Sequence, residues 1–229
     1  EHDGGFDPGA RTSPNRAQNP HMHLFEAALQ AFEMTGGNIW LERAGDMRTK
    51  GLEFFFDQNS GTITEFLAPD LSILPGRDGE RREIGHQCEW AWLLMREVEL
   101  GGDPASADVA KRLLEFADSH GFASDGPLNG AAYDAVGCKA DWREGRFLLW
   151  PQTEAIKAHA IRAGQDGFDQ KARALVETIF KCYFHRRAAY ANQLDPKGDP
   201  IWSDALSRLH YHLVLGLTEG ARAKLWPAP

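Results

Sequence analysis

Five of the nine histidines in this sequence fall in three of four short segments that between them also carry glutamate and tryptophan. These are Asn19-Pro-His21-Met-His23-Leu-Phe-Glu26, Gly85-His86-Gln-Cys88-Glu89-Trp90-Ala-Trp92, Leu149-Trp150-Pro-Gln152-Thr-Glu154 and His210-Tyr211-His212. Histidine titrates near neutrality, so one imidazole can start neutral and another charged at the same pH. Two such groups flanking a carbonyl-bearing carbon suit proton abstraction, with return of the proton to the other face or to the neighbouring carbon. Trp150, Trp90 and Trp92 offer flat walls for the C–H face of a sugar ring, although core packing is the simpler account of Trp92. Phe54-Phe55-Phe56 reads as core, and Cys88 as a small buried residue, because neighbours on a helix diverge by about 100°.

Two other chemistries compete. The His21-x-His23 and His210-x-His212 pairs resemble metal ligands, with Glu26 or Glu89 completing a shell. Residues i and i+2 of a helix point about 200° apart, so each pair aims only one imidazole inward, and no HExxH motif is present. No metal is therefore expected. Glu26, Glu89 and Glu154 supply acids for glycoside hydrolysis, but each lies a turn inside its helix and none stands in an acidic loop.

Positioning these segments requires helices. The apolar stripe Leu24, Ala27, Ala28, Ala31 and Phe32 predicts a helix from Pro20, stopped at Gly36-Gly37. A second runs from Ile39 to Phe56, with Asn38 as its expected N-cap. Further helices are expected over His86–Leu100, Ala107–His120, Thr153–Ala163, Asp169–Phe184 and about Leu209–Ala223. A short strand or hairpin is expected around Thr62–Leu67. Residues 1–18 read as a loop or extended lead-in. Glu26, Glu89 and Glu154 recur at spacings of 63 and 65 residues, and HYHLVLG follows about 60 later. Each unit is a helix, a tight break, a second helix and a long connection. That period marks a stacked or toroidal array of helical hairpins, with the first-helix N-termini converging on one face. Free backbone N–H groups at those ends suit polar substrate oxygens. A first-turn glutamate complementing the helix dipole explains any one segment; four in register favour a shared pocket.

Composition sets the outer limits. The chain has 229 residues, 42% of them hydrophobic, and a formal net charge of −8, which argues against a general nucleic-acid binder. No apolar run reaches the roughly 18 residues of a membrane span. Three widely spaced cysteines, Cys88, Cys138 and Cys182, fit neither a disulfide framework nor a CxxC metal site, so a cytoplasmic location is expected.

The ordered motifs NPHMHLFEA, GHQCEWAWLL, LWPQTEAIKA and YHLVL resemble the N-acylglucosamine 2-epimerase superfamily, nearest its mannose isomerase and mannose-6-phosphate isomerase-like branch. The resemblance runs from about Phe6 to Leu217. It implies an all-α fold, the (α/α)6 barrel, with the site at one end of the inner helices. It also implies His86 and His212 as the acid/base pair acting on C1–C2 of a sugar through an enediol(ate). By the same resemblance Asn19, His23, Glu89 and Trp150 bind substrate, and no cofactor is involved. Aldose–ketose isomerisation of a mannose-type sugar or its 6-phosphate is the expected activity, with 2-epimerisation as the alternative. A truncated, non-catalytic sugar-binding remnant is a further one. Arg77, Arg81 and Arg82 are candidates for a phosphate, although a solvated loop is the favoured reading of them.

The chain is expected to form a single domain over 1–229, with about seven helices where the family barrel has twelve. A six-hairpin ring at this period needs about 370 residues, so roughly 170 to 180 N-terminal residues are expected to be missing. A homodimer or an associated N-terminal fragment would then complete the site. An arginine and a tyrosine that relatives supply from preceding helices have no counterpart here. His210 is an unexpected second imidazole in SRLHYH.

Overall fold

The computed structural model describes residues 15–165, 167–184 and 189–227. The lead-in expected over 1–18 thus lies mostly outside the described residues. Its visible end is β1 (Arg16–Ala17), which pairs antiparallel with β4 (Phe66–Leu67).

Eight helices are present among the described residues. They are α1 (Asn19–Thr35), α2 (Asn38–Phe55), the four-residue α3 (Arg77–Glu80), α4 (Ile84–Glu99), α5 (Ser106–His120), α6 (Leu149–Ala160), α7 (Phe168–Thr178) and α8 (His210–Arg222). Gly36 ends α1 in the left-handed conformation (φ 66°), which lets its N–H close on the Phe32 carbonyl. Gly37, not Asn38, occupies the N-cap position of α2, and no side chain caps that end. The tight two-glycine break leaves Asn38 already helical. The helix expected to reach Phe184 instead changes after Thr178 into a π-helical turn, Ile179–Tyr183.

The helices form two layers. α1 packs on α4, α4 on α6 and α6 on α8, while α2, α5 and α7 back α1, α4 and α6 as the second helix of each hairpin. Burial follows from this order. α6 is buried at eleven of its twelve positions, because it is flanked on both sides and backed by α7. α1 and α8 end the inner layer and keep exposed apolar side chains, Leu24 and Val214 at 58% and 59%. The inner layer is an open arc rather than a closed ring.

Short strands set the start of three of the four inner helices. β1 leads into α1, β5 (Arg81–Glu83) runs straight into α4, and β7 (Phe147–Leu148) into α6. β2 (Phe56–Asp57) pairs with β3 (Thr62–Ile63), β5 with β6 (Ala135–Gly137), and β7 with β8 (Gln193–Leu194), which also pairs β9 (Pro200–Trp202). Two buried glutamines pin these connections. Gln87, fourth residue of α4, accepts from Ile63 N–H (2.8 Å) and donates to Ile63 O (3.0 Å). Gln152, fourth residue of α6, does the same with Ala132 at 2.7 and 2.9 Å. Each amide thus satisfies a loop backbone pair that would otherwise be buried unbonded.

The three arginines weighed for a phosphate are structural. Arg82 is 1% exposed and bonds Thr62, Asp57 and the Gly79 carbonyl, while Arg81 pairs with Glu83, Asp134 and Glu144. Arg77 stacks its guanidinium over Trp142. The solvated-loop reading fails for Arg81 and Arg82, since long-range carboxylates draw both inward.

Candidate active site

A cavity of about 290 Å³ opens at the N-terminal ends of the inner helices. Asn19, His23, His86, Glu89, Trp150 and His212, all singled out from sequence, line it. Of the two HxH pairs, His23 faces this space while His21 donates from Nε2 to the Met47 carbonyl. His212 faces it as well, and His210 packs edge-on against Tyr190. The 200° divergence on a helix accounts for both. Trp90 is fully buried beneath, bonded to Gln18, and forms no part of the wall. Trp92 is likewise core.

The two principal histidines each rest on a buried carboxylate. His86 Nδ1 donates to Glu65 Oε2 (2.7 Å) and lies 3.2 Å from Glu83 Oε2. Glu65 is locked in turn by Gln18 Nε2 (3.0 Å) and by the Glu83 N–H (2.9 Å). His212 Nδ1 donates to Glu154 Oε1 (2.8 Å), and the other oxygen of Glu154 lies 2.5 Å from Lys157 Nζ. That last contact is an ion pair without hydrogen-bond alignment. With Nδ1 engaged, each imidazole has Nε2 left to meet a ligand. The indole of Trp150 stands between them, its ring 4.7 Å from that of His86 and 6.1 Å from that of His212.

The electrostatics of the two dyads differ. Burial alone would strip the proton from His86, but the Glu65 and Glu83 charges outweigh it and push the pKa up to about 10. At neutral pH His86 is an imidazolium. Burial also works against the Glu154 carboxylate, yet Lys157 and the His212 bond hold its pKa below the ordinary value. Glu154 is therefore already balanced by a buried ammonium, and Glu65 is balanced by the imidazolium of His86 itself. His23 is raised, chiefly by its bond to Glu26. Burial, reinforced by Glu154, pushes Glu89 up to about 7. Neither Glu89 oxygen has a hydrogen-bond partner, so this carboxyl is available to a ligand hydroxyl as donor or acceptor.

Among the described residues, three groups have the spacing of metal ligands: His23-Glu26-Glu89, Glu65-Glu83-His86 and Glu89-Glu154-His212. The protonated His86 in the second and the Lys157 ammonium against Glu154 in the third already place cations there. Two of the three acids weighed for glycoside hydrolysis serve histidines, Glu26 bonding His23 and Glu154 bonding His212, while Glu89 has no hydrogen-bond partner.

Other participants escaped sequence reading. Glu65 sits between β3 and β4, Glu83 at the end of β5, Asn192 before β8, and Arg208 in a 3₁₀ turn, Ser207–Leu209, before α8. An acid at 65 inside the β-branched run TITEF was the one available signal. Gly85 is another. A Cβ there would lie 2.2 Å from the Trp150 ring, so only glycine lets the indole reach its place between the histidines. Gly85→Ala is expected to cost about 1–3 kcal/mol by overpacking and to shift the Trp emission spectrum. Urea melts with fluorescence readout check it, and an unchanged midpoint and spectrum would contradict the contact.

Known proteins resemble this chain in sequence and in fold. A mannose-6-phosphate isomerase of Rhizobium meliloti (strain 1021) is 38% identical over 146 residues, covering 63% of this chain and 37% of that protein. A D-mannose isomerase of Thermobifida fusca is 28% identical over 210 residues, covering 80% and 48%. The chain thus spans half or less of the length of these curated relatives. Among solved structures, a D-mannose isomerase superposes with a TM-score of 0.75 at 21% identity, over 93% of this chain and 57% of that one. A cellobiose 2-epimerase from Bacillus thermoamylovorans B4167 gives 0.75 at 14% identity, over 90% and 53%. At such identities the structures establish a shared fold alone, and this chain corresponds to 57% and 53% of those two chains. The profile of N-acylglucosamine 2-epimerase (GlcNAc 2-epimerase) matches residues 4–216, and over that span the chain belongs to the N-acylglucosamine 2-epimerase family.

Proposed function

We propose that this protein is a sugar aldose–ketose isomerase acting on a mannose-type sugar, with His212 as base and His86 as acid. The observation that carries the reading is two histidines from separate helices, each braced by a buried glutamate, facing one cavity across a tryptophan. His212 takes the proton from C2 of the open-chain aldose. His86, held as imidazolium, gives its proton to O1 as the C1=O bond becomes C1–OH. The resulting enediol loses the O2 proton to His86, and C1 receives the proton held by His212, leaving the ketose. Proton return to the opposite face of C2 gives the 2-epimer instead. Trp150 offers its face to the sugar C–H groups, and Asn19, His23 and Glu89 meet the hydroxyls.

The test is exchange of the C2 proton of mannose in deuterated water, followed by NMR with analysis of the product. A ketose supports isomerisation, a C2 epimer alone moves the assignment to 2-epimerase, and no exchange refutes both. The pH profile adds a second check. Activity depends on protonated His86, so it is retained as pH rises from neutrality and falls as pH passes about 10. An alkaline limb near 6.5 would remove His86 from the role of acid.

A further inference from the structure

Two donors in the cavity have no acceptor and no part in the proton transfer. Asn192 is 2% exposed, and its Nδ2 is buried without a hydrogen-bond partner. Its backbone is fixed on both sides: its N–H donates to Trp202 O (2.8 Å), and its carbonyl accepts from Leu149 N–H (3.0 Å). Arg208 lines the same cavity, and among the described residues its guanidinium has neither a carboxylate nor a hydrogen-bond partner. It lies one helical turn before His212, so both project along one face of the chain entering α8. Tyr190 staples the two segments, donating to the Leu206 carbonyl just ahead of Arg208 and packing on His210.

An orphaned buried N–H₂ costs free energy unless a ligand supplies its acceptor. A guanidinium carries five donors and no acceptor, in a fork that matches an oxyanion. Hydroxyls would satisfy such a pair poorly; an acceptor-rich, charged group satisfies it well. The two acids on the cavity wall are weakened as opponents of an anion. Glu83 is clamped by Arg81 and beside His86, and Glu89 is raised by burial.

We propose that Arg208 and Asn192 form an anion subsite that holds the phosphate ester of an aldose phosphate, with its reducing end between His86 and His212. This gives the isomerase reading its substrate class and, for turnover, rests on it. The phosphate is then the grip and the C1–C2 end is left free to react. The subsite is distinct from the Arg77, Arg81 and Arg82 group, whose guanidinium groups are engaged elsewhere.

The experiment compares kcat/KM for an aldose 6-phosphate and its unphosphorylated parent in the wild type, Arg208→Gln and Arg208→Lys. The wild type should prefer the phosphate. Arg208→Gln should cut that preference roughly ten- to hundredfold, mainly through KM, and Arg208→Lys should restore part of it. An equal loss on both sugars, no loss, or a wild-type preference for the parent sugar overturns the subsite. Preference for a hexuronate over the phosphate overturns the phosphate assignment. If the wild type turns over neither sugar, the isomerase reading fails separately. The subsite then stands only if calorimetry shows the aldose 6-phosphate binding to the wild type and weakened in Arg208→Gln; no difference refutes it.

Discussion

Replacing His212 by Asn is expected to lower kcat/KM by about 10²- to 10⁴-fold, the range a positioned general base contributes. Asparagine keeps a polar side chain within reach of Glu154, to which His212 bonds at 2.8 Å, so the carboxylate is not left bare. What disappears is the proton-accepting Nε2. Because asparagine can keep a polar contact with Glu154 and the side chain opens onto the cavity, the fold should hold, with the urea midpoint moving little. Exchange of the sugar C2 proton should vanish along with turnover, since both begin with the same abstraction. Activity within threefold of wild type, measured by steady-state kinetics, would place the base elsewhere. Loss of turnover with C2 exchange intact would make His212 a participant in the second proton transfer only.

The largest effect on stability is expected from Lys157→Met. Lys157 is fully buried, 2.5 Å from Glu154 and with its ammonium 4.0 Å from the centre of the Trp92 ring. Burial alone would lower its pKa, but Glu154, Glu89 and Glu26 together raise it, so the cation is held. Three glutamates from α1, α4 and α6 thus converge on one lysine beneath the cavity. Methionine fills a similar volume and leaves Glu154 charged, buried and opposed only by His212. Breaking a buried pair from one side costs about 3–5 kcal/mol, because the surviving charge is uncompensated. Urea denaturation at neutral pH should show that loss as a lower midpoint with an unchanged slope. Adding Glu154→Leu should recover part of it. A loss below about 1 kcal/mol would mean that Glu154 takes up a proton instead of staying charged.

The two variants probe different parts of one construction. The inner helices each deliver a His or Glu at the same depth, one turn in from the N-terminus, because the 63- and 65-residue periods return the chain to equivalent places in the arc. Their charges are then sorted by neighbours. Glu154 is given a lysine three residues on, while Glu65 is given only a glutamine and a backbone N–H. The same kind of His–Glu dyad therefore rests differently: His86 keeps its proton, and His212 sits against a carboxylate whose charge is already met.

Much of this was legible in the sequence. The helix pairs follow from apolar stripes at helical spacing and from the glycine breaks, and each of the main helices lies within a few residues of its expected place. That only one histidine of each HxH pair faces inward follows from helix geometry alone. Glu65, Asn192 and Arg208 were not legible. They lie in connections between the helices, and what surrounds them is distant in sequence: Glu65 is 21 residues from His86. Asn38 and the arginines of β5 misled for the same reason, since local pattern says nothing of the carboxylates that tertiary contacts bring to Arg81 and Arg82. What the sequence alone determined is the repeat, the helices and the inventory of acid/base groups, all set by short-range spacing. The tertiary structure decided which carboxylate backs each histidine, and that Glu65 and Glu83 hold the proton on His86. It also decided which donors are left without partners, because burial and charge pairing depend on neighbours that chain order does not reveal.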